Sequence, residues 1–140
     1  WVFSEYGNNF LKTMLNLSSK LKELKVVDDQ YGNPTYAHDL ARAIKQSISQ
    51  LENNDFQQGL FHYSGQETHS WYTFAKKIFR NLNKEVNIVP IKADEYITAA
   101  KRPKYSSLDT SLFCKQVYNA DTSLDLNINE VITKINGSKN

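Results

Sequence analysis

Between Trp71 and Leu82 the apolar residues Trp71, Phe74, Ala75, Ile78, Phe79 and Leu82 fall at i, i+3, i+4, i+7, i+8 and i+11, the spacing of one face of an α-helix. A strand, with its period of two, would scatter these side chains over both of its faces. The stretch therefore has to be helical, and an apolar face this wide needs a core to lie on. Thr68 or Ser70 stands just ahead of it as an N-cap. The rest of the chain can supply that core: its 140 residues are 40% hydrophobic and 23% charged, a balance typical of globular domains and far from that of disordered chains. A domain of this size buries a little under ~70% of its unfolded surface.

Similar periodicity predicts four more helices. One runs from about Asn8 to Glu23 on Phe10, Met14, Leu17 and Leu21, with Leu11 and Leu15 widening the stripe. A second is capped by Thr35 and carries Ala37, Leu40, Ala41, Ile44, Ile48 and Leu51 to about Glu52. A short one follows Asp109 with Leu112, Phe113 and Val117. The last holds Ile128, Val131, Ile132 and Ile135 before a polar tail, Asn136 to Asn140. Strand character appears at Trp1-Val2-Phe3, Leu24 to Val27, Gly59 to Tyr63 and Val86 to Ile91, the last confined to a sheet edge by Pro90. Asp28 to Pro34 is dense in turn formers. Strands alternating with helices predict an α/β fold with parallel pairing. These strands are few for an independent sheet, and the first begins abruptly at Trp1, so some are expected to join strands upstream of it.

Several function classes are excluded on composition and spacing. Lys and Arg number 17 against 15 Asp and Glu, intermixed, with only Lys20, Lys22 and Lys25 clustered. That is no nucleic-acid stripe. A single cysteine, Cys114, gives no disulfide, and no apolar run reaches the ~18–20 residues of a bilayer span. A cytoplasmic setting without membrane or nucleic-acid partners is expected. His38, His62 and His69 lack the spacing of a zinc site. The glycines at 7, 32, 59, 65 and 137 are isolated, so no Gly-rich phosphate turn can be written, and no bound cofactor is expected. Tyr72 and Lys76 do match Tyr-x-x-x-Lys, but with eight tyrosines about one chance match is expected. On a helical wheel they sit roughly 100° and 140° from Trp71, at the flank of the apolar face. A proton-donating tyrosine needs a shielded site beside a cation.

Four segments, in order, carry a resemblance: Trp1-Val2-Phe3 with Gly7-Asn8-Asn9-Phe10; Val27 to Thr35; Ser70-Trp71-Tyr72-Thr73-Phe74-Ala75; and Lys101-Arg102-Pro103-Lys104-Tyr105-Ser106-Ser107-Leu108-Asp109. Together they resemble the C-terminal part of the dTDP-4-dehydrorhamnose reductases, extended short-chain dehydrogenase/reductases, from Trp1 to about Phe113. The resemblance implies a Rossmann half upstream that holds the NADPH turn and the catalytic Tyr-x-x-x-Lys pair. Residues 1–52 would complete that upstream sheet, and 53–140 would form the substrate subdomain. It implies a substrate-binding portion, inactive alone, of an NADPH-dependent enzyme of dTDP-L-rhamnose biosynthesis.

A dTDP-sugar offers a diphosphate, a base and a sugar, so its site should hold a planar cation, amides and an aromatic wall. By the resemblance Arg102 grips the diphosphate, assisted by Lys101; Trp1 flanks the sugar, Asn9 contacts phosphate, and Gln30 with Thr35 lines the cleft. Each has a structural alternative: Trp1 as core, Asn9 as a turn residue, Thr35 as a helix cap. Some reductases of the family place a glutamate where this chain has His38 and use it in a metal-linked dimer, so His38 argues against that metal and that mode of a possible homodimer. Two alternatives stay open: a non-catalytic regulatory subunit of the methionine adenosyltransferase β type, or a reductase or epimerase acting on another nucleotide sugar.

Overall fold

The computed structural model describes residues 1–53, 59–96, 102–118 and 123–137. The elements run β1 (Val2–Phe3), α1 (Phe10–Ser18), β2 (Glu23–Val27), β3 (Tyr31–Gly32), β4 (Thr35–Tyr36), α2 (Ala37–Glu52), β5 (His69–Ser70), α3 (Trp71–Asn81), β6 (Asn87–Ile91), α4 (Ser111–Gln116) and α5 (Leu124–Gly137). The fold is α/β, with five helices and few, short strands, as its alternating pattern predicts. The strands form three separate pairs. β1 and β4 are parallel, β2 and β6 are parallel over five residues from Glu23 against Asn87 to Val27 against Ile91, and β3 and β5 are antiparallel. Among the described residues β6 pairs with β2 alone, so Pro90, which has no N–H to give, sits where it breaks no second ladder.

The expected stripe of α3 is the centre of the main core. Phe74, Ala75, Ile78 and Phe79 are buried against Leu11 and Met14 of α1, Phe3, Leu24, Val26 and Tyr36 of the strands, and Leu124, Ile128, Val131 and Ile132 of α5. The start of α3 is fixed by a capping box: the Ser70 hydroxyl accepts from the Thr73 N–H at 3.0 Å while the Ser70 N–H donates to the Thr73 hydroxyl at 2.9 Å. Polar contacts tie α3 to α5, where Asp125 accepts from Lys77 at 2.7 Å, Asn81 at 2.7 Å and Arg80 at 3.0 Å. Burial alone would raise the Asp125 pKa. These donors and the Lys77 charge outweigh it and hold the carboxyl down to about 2.

Three sequence expectations are corrected. The first helix covers Phe10–Ser18, not Asn8 to Glu23: it stops at Ser19 because the chain must turn through Lys20 and Leu21, whose N–H groups both return to the Leu17 carbonyl, to enter β2. Gly59 to Tyr63 forms no strand, having no partner among the described residues. It is held instead by Phe61 and Tyr63, whose rings pack on Phe113 of α4 at 6.3 and 5.3 Å in a second small core with Ala43 and Val117. Thr35 does not cap α2. It is a residue of β4, and the N-cap position falls to Tyr36, which makes no capping bond through its side chain.

Candidate functional site

The turn-forming run after β2 uses its residues one by one to assemble a site. Asp28 extends the β2 ladder, its N–H donating to Ile91 at 2.9 Å, and its carboxylate accepts from the Ser70 hydroxyl at the head of α3. Asp29 accepts from the Ala93 N–H at 2.8 Å and so fixes the turn that carries Tyr96. Tyr31 binds the segment after Arg102: its N–H donates to the Lys104 carbonyl at 2.8 Å, and its carbonyl accepts the Ser106 N–H at 2.8 Å. Asn33, buried, donates to the Gly65 carbonyl at 2.9 Å and accepts from the Ser107 hydroxyl. Short polar side chains that bond nearby backbone are what hold such an irregular run without a ladder.

Two glycines in this region are required by close approach. A Cβ on Gly32 would lie 2.5 Å from the Trp1 indole, and one on Gly65 would lie 2.0 Å from the Pro34 carbonyl oxygen. The space beside Gly32 lets Trp1 stack on Trp71 with ring centroids 3.5 Å apart and planes 7° from parallel. Phe10 leans on the other ring at 4.7 Å. The three form an aromatic wall whose members are locked by neighbours on both sides.

Phe10 and Trp71 of that wall line a cleft of about 550 Å³ between α1, β2 and the loop that follows β6. Phe10, Met14, Leu17, Leu24 and Trp71 make its apolar floor, and Gln30, Lys25, Glu23, Thr13, Tyr96 and Arg102 its polar rim. Arg102 is exposed and forms no ion pair among the described residues. An apolar trough with a few convergent polar groups and a guanidinium that has no ion partner among the described residues is suited to a ligand that has a flat ring and an anion.

Residues 1–136 match the family model described as the RmlD substrate binding domain. The chain belongs to this family. It is 41% identical over 116 residues to the dTDP-4-dehydrorhamnose reductase of Aggregatibacter actinomycetemcomitans, covering 78% of this chain and 40% of that protein. Its structure superimposes on that of a dTDP-4-dehydrorhamnose reductase from Clostridium acetobutylicum with a TM-score of 0.82 at 36% identity, over 97% of this chain and 46% of that one. It also superimposes on the dTDP-4-dehydrorhamnose reductase of Bacillus anthracis in complex with NADP, with a TM-score of 0.81 at 34% identity, over 96% of this chain and 45% of that one. The chain thus spans less than half the length of these relatives.

Within this RmlD substrate-binding domain the sequence-predicted residues are distributed unevenly. Gln30 and Arg102 share the cleft, and half-buried Trp1 backs it through Trp71. Asn9 is the N-cap of α1: its side-chain oxygen accepts from the Lys12 N–H at 3.1 Å and its NH₂ donates to the Ser4 and Tyr6 carbonyls at 2.8 and 3.3 Å, so both ends of the amide are engaged. Thr35 is buried away from the cleft, donating to the Asn33 carbonyl and accepting from the Gly65 N–H, both at 3.0 Å. It lines a cavity of about 30 Å³ instead. Lys101 lies outside the described residues. Trp71, Phe10 and Tyr96 are lining residues that sequence reasoning did not single out, because helical periodicity accounts for Trp71 and Phe10 as core positions.

Tyr72 and Lys76 sit at the helix flank, Lys76 exposed with its ammonium 5.4 Å from the Tyr72 ring centroid. Neither lines the cleft. His38 bonds Glu5 at 3.0 Å, and no group of three or more His, Cys, Asp or Glu side chains is placed to hold a metal among the described residues. A larger open groove of about 1020 Å³, lined by Glu5, Lys12, His38 and Lys134, contains none of the predicted site residues. No described helix is long and apolar enough to cross a membrane.

The N-termini of the longer described helices are each met by a side chain of the chain itself. Asn9 and Ser70 fill the N-termini of α1 and α3, Asp39 stands in the first turn of α2, and a Glu67 carboxylate oxygen accepts from the Leu124 N–H at the head of α5.

Proposed function

We propose that this chain is the substrate-binding portion of an NADPH-dependent dTDP-4-dehydrorhamnose reductase, a step of dTDP-L-rhamnose biosynthesis in the cytoplasm, and that it carries no turnover by itself. The observation that carries this reading is the cleft in which Arg102, Gln30 and Trp71, the last backed by Trp1, converge. Family membership supports it. Bound NADPH would supply the hydride for the C4 ketone; the residues here bind, orient and exclude water. Arg102 neutralises the diphosphate through two parallel N–H···O bonds, Gln30 supplies an amide to the ligand's polar edge, and the locked aromatic rings keep the sugar end from rotating. Lys101 assists as a point charge. Holding the ketone in one geometry is itself a large share of catalysis, up to about 7–11 kcal/mol for the best-oriented pairs. Residues 1–52 complete a sheet whose remaining strands, with the NADPH turn and the proton-donating tyrosine, belong to an upstream Rossmann half.

Tryptophan fluorescence provides the test, because Trp71 lines the cleft and Trp1 stacks on it. Titration of the 140-residue chain with dTDP is expected to give saturable quenching, and Arg102→Ala is expected to weaken it about tenfold, ~1.4 kcal/mol. Arg102→Lys should recover only part of the loss, since an ammonium cannot bond bidentately. Equal quenching by dTDP in wild type and Arg102→Ala, or no NADPH-dependent reduction of the dTDP-4-keto sugar by the full-length protein, would refute the reading.

A further inference from the structure

Gln30 and Arg102, which share the rim of the cleft, flank one backbone crossing, the bridge between Tyr31 and Tyr105. Gln30 directly precedes Tyr31, and Arg102 stands two residues before Lys104. The Tyr31 N–H donates to the Lys104 carbonyl and the Ser106 N–H donates to the Tyr31 carbonyl, both at 2.8 Å. The crossing therefore sets where the guanidinium stands relative to the amide, and Pro103, with its fixed φ, stiffens the link between Arg102 and Lys104. Its members are poorly protected: Tyr31, Lys104, Tyr105 and Ser106 are all exposed, and a two-bond crossing in contact with water opens at little cost. The next tie along the segment is buried. Asn33 is only 7% exposed, and its side chain joins its own turn to the loop at 65–68 and to Ser107 of the segment that carries Arg102.

The direction of each bond in this tie follows from its partners. The Gly65 and Glu67 carbonyls, 2.9 and 3.3 Å from the Asn33 Nδ2, can only accept, so the NH₂ faces them and the Oδ1 faces Ser107. The Ser107 hydroxyl then gives its single proton to that oxygen. The Thr68 hydroxyl, 2.9 Å from Ser107, donates to it and accepts from the Asn33 Nδ2 at 3.4 Å. Asn33, Ser107 and Thr68 thus close a ring of one-way bonds, away from water, in which each bond polarises the next. We propose that Asn33 is a positioning residue for the substrate: through Ser107 it holds the segment that carries Arg102, and so the place of the guanidinium relative to Gln30. The proposal rests on the reading of the cleft as the dTDP-sugar site. Asn33 does not line that cleft; it acts through Arg102.

A double-mutant cycle on dTDP affinity, read by tryptophan quenching, tests the proposal. Asn33→Ala and Ser107→Ala are each expected to weaken dTDP binding about threefold while Arg102 is present, and to change it by less than ~1.5-fold in an Arg102→Ala background, because the loss is felt only through the guanidinium. Thymidine, which has no diphosphate, should be bound alike by wild type and Ser107→Ala; a general loosening of the cleft would weaken both ligands. Asn33→Asp keeps the size of the side chain and an oxygen toward Ser107 but sets its other oxygen against the Gly65 and Glu67 carbonyls, so it should bind dTDP no better than Asn33→Ala. If far-UV circular dichroism shows that the variants at position 33 lose the fold, Ser107→Ala, at the half-buried end of the ring, completes the cycle alone. Unchanged dTDP affinity in Ser107→Ala, or a loss that persists in full without Arg102, would overturn the proposal. The two readings fail separately: a large Arg102→Ala effect with none at position 107 removes only the positioning role, whereas no effect of Arg102→Ala removes the substrate reading and the proposal with it.

Discussion

Helices α2 and α3 announce themselves in the same way, by apolar residues three and four apart, yet the fold treats them oppositely. α3 drives Phe74, Ala75, Ile78 and Phe79 into the main core at 3% exposure or less. α2 buries Asp39 and Ala43 and leaves its larger apolar side chains half in solvent. Asp39 is tolerated inside because its carboxylate takes Arg42 on one oxygen and Asn127 at 2.7 Å on the other. The difference teaches that periodicity reports the existence of an apolar stripe and not what covers it. For α3 the cover is within these residues; for α2 the described residues leave Ile44, Ile48 and Leu51 about half exposed.

The sharpest way to break the comparison is to truncate each stripe. Phe74→Ala should destabilise the chain by about 3–5 kcal/mol through lost burial and a cavity, read from urea denaturation. A loss below ~1 kcal/mol would mean that α3 is not the centre of the core. Removing the α3 cap should cost less: Ser70→Ala is expected to lower stability by about 1 kcal/mol and to raise amide exchange in the first turn of α3, because the Thr73 N–H loses its acceptor. No change in exchange would contradict the capping role.

The α3–α5 contact also predicts a pH dependence. Asp125 titrates near 2 in the folded chain and at about 3.9 when unfolded. A depressed carboxylate stabilises above its unfolded pKa and loses that contribution as pH falls through the folded value, so stability should decline between about pH 4 and 2. Asp125→Asn should flatten that part of the curve, with the effect diluted by the partial exposure of the site; an unchanged acid limb would remove Asp125 from the linkage. The smallest effect belongs to α2. Ile48→Ala should change the stability of the 140-residue chain by no more than ~0.5 kcal/mol, and a loss of several kcal/mol would show that the stripe is already covered.

The order of helices and the α/β class were legible because each helix repeats its pattern over several turns. Boundaries failed where a local signal met a tertiary demand: Leu21 fits the stripe of the first helix, but the chain has to turn there to enter β2. Gly59 to Tyr63 has strand-forming residues and no strand beside it. At the site, Arg102 and Gln30 could be nominated from side-chain chemistry and family resemblance. The engaged amide of Asn9, the burial of Thr35 and the appearance of Trp71 at the cleft could not, because each depends on which neighbour arrives from elsewhere in the chain.

By itself the sequence determined what local spacing can determine: the helical stripes, a cap at Thr68 or Ser70, and the turn-rich run from Asp28 to Pro34 with its particular polar side chains. Only the tertiary structure decided which stripe is buried, which hydroxyl and amide groups are used up inside, and that residues as distant as Gln30, Trp71 and Arg102 meet around one cleft. The physical reason is that periodicity and capping are set within a few residues of backbone, whereas burial and convergence are properties of surfaces brought together by the whole chain.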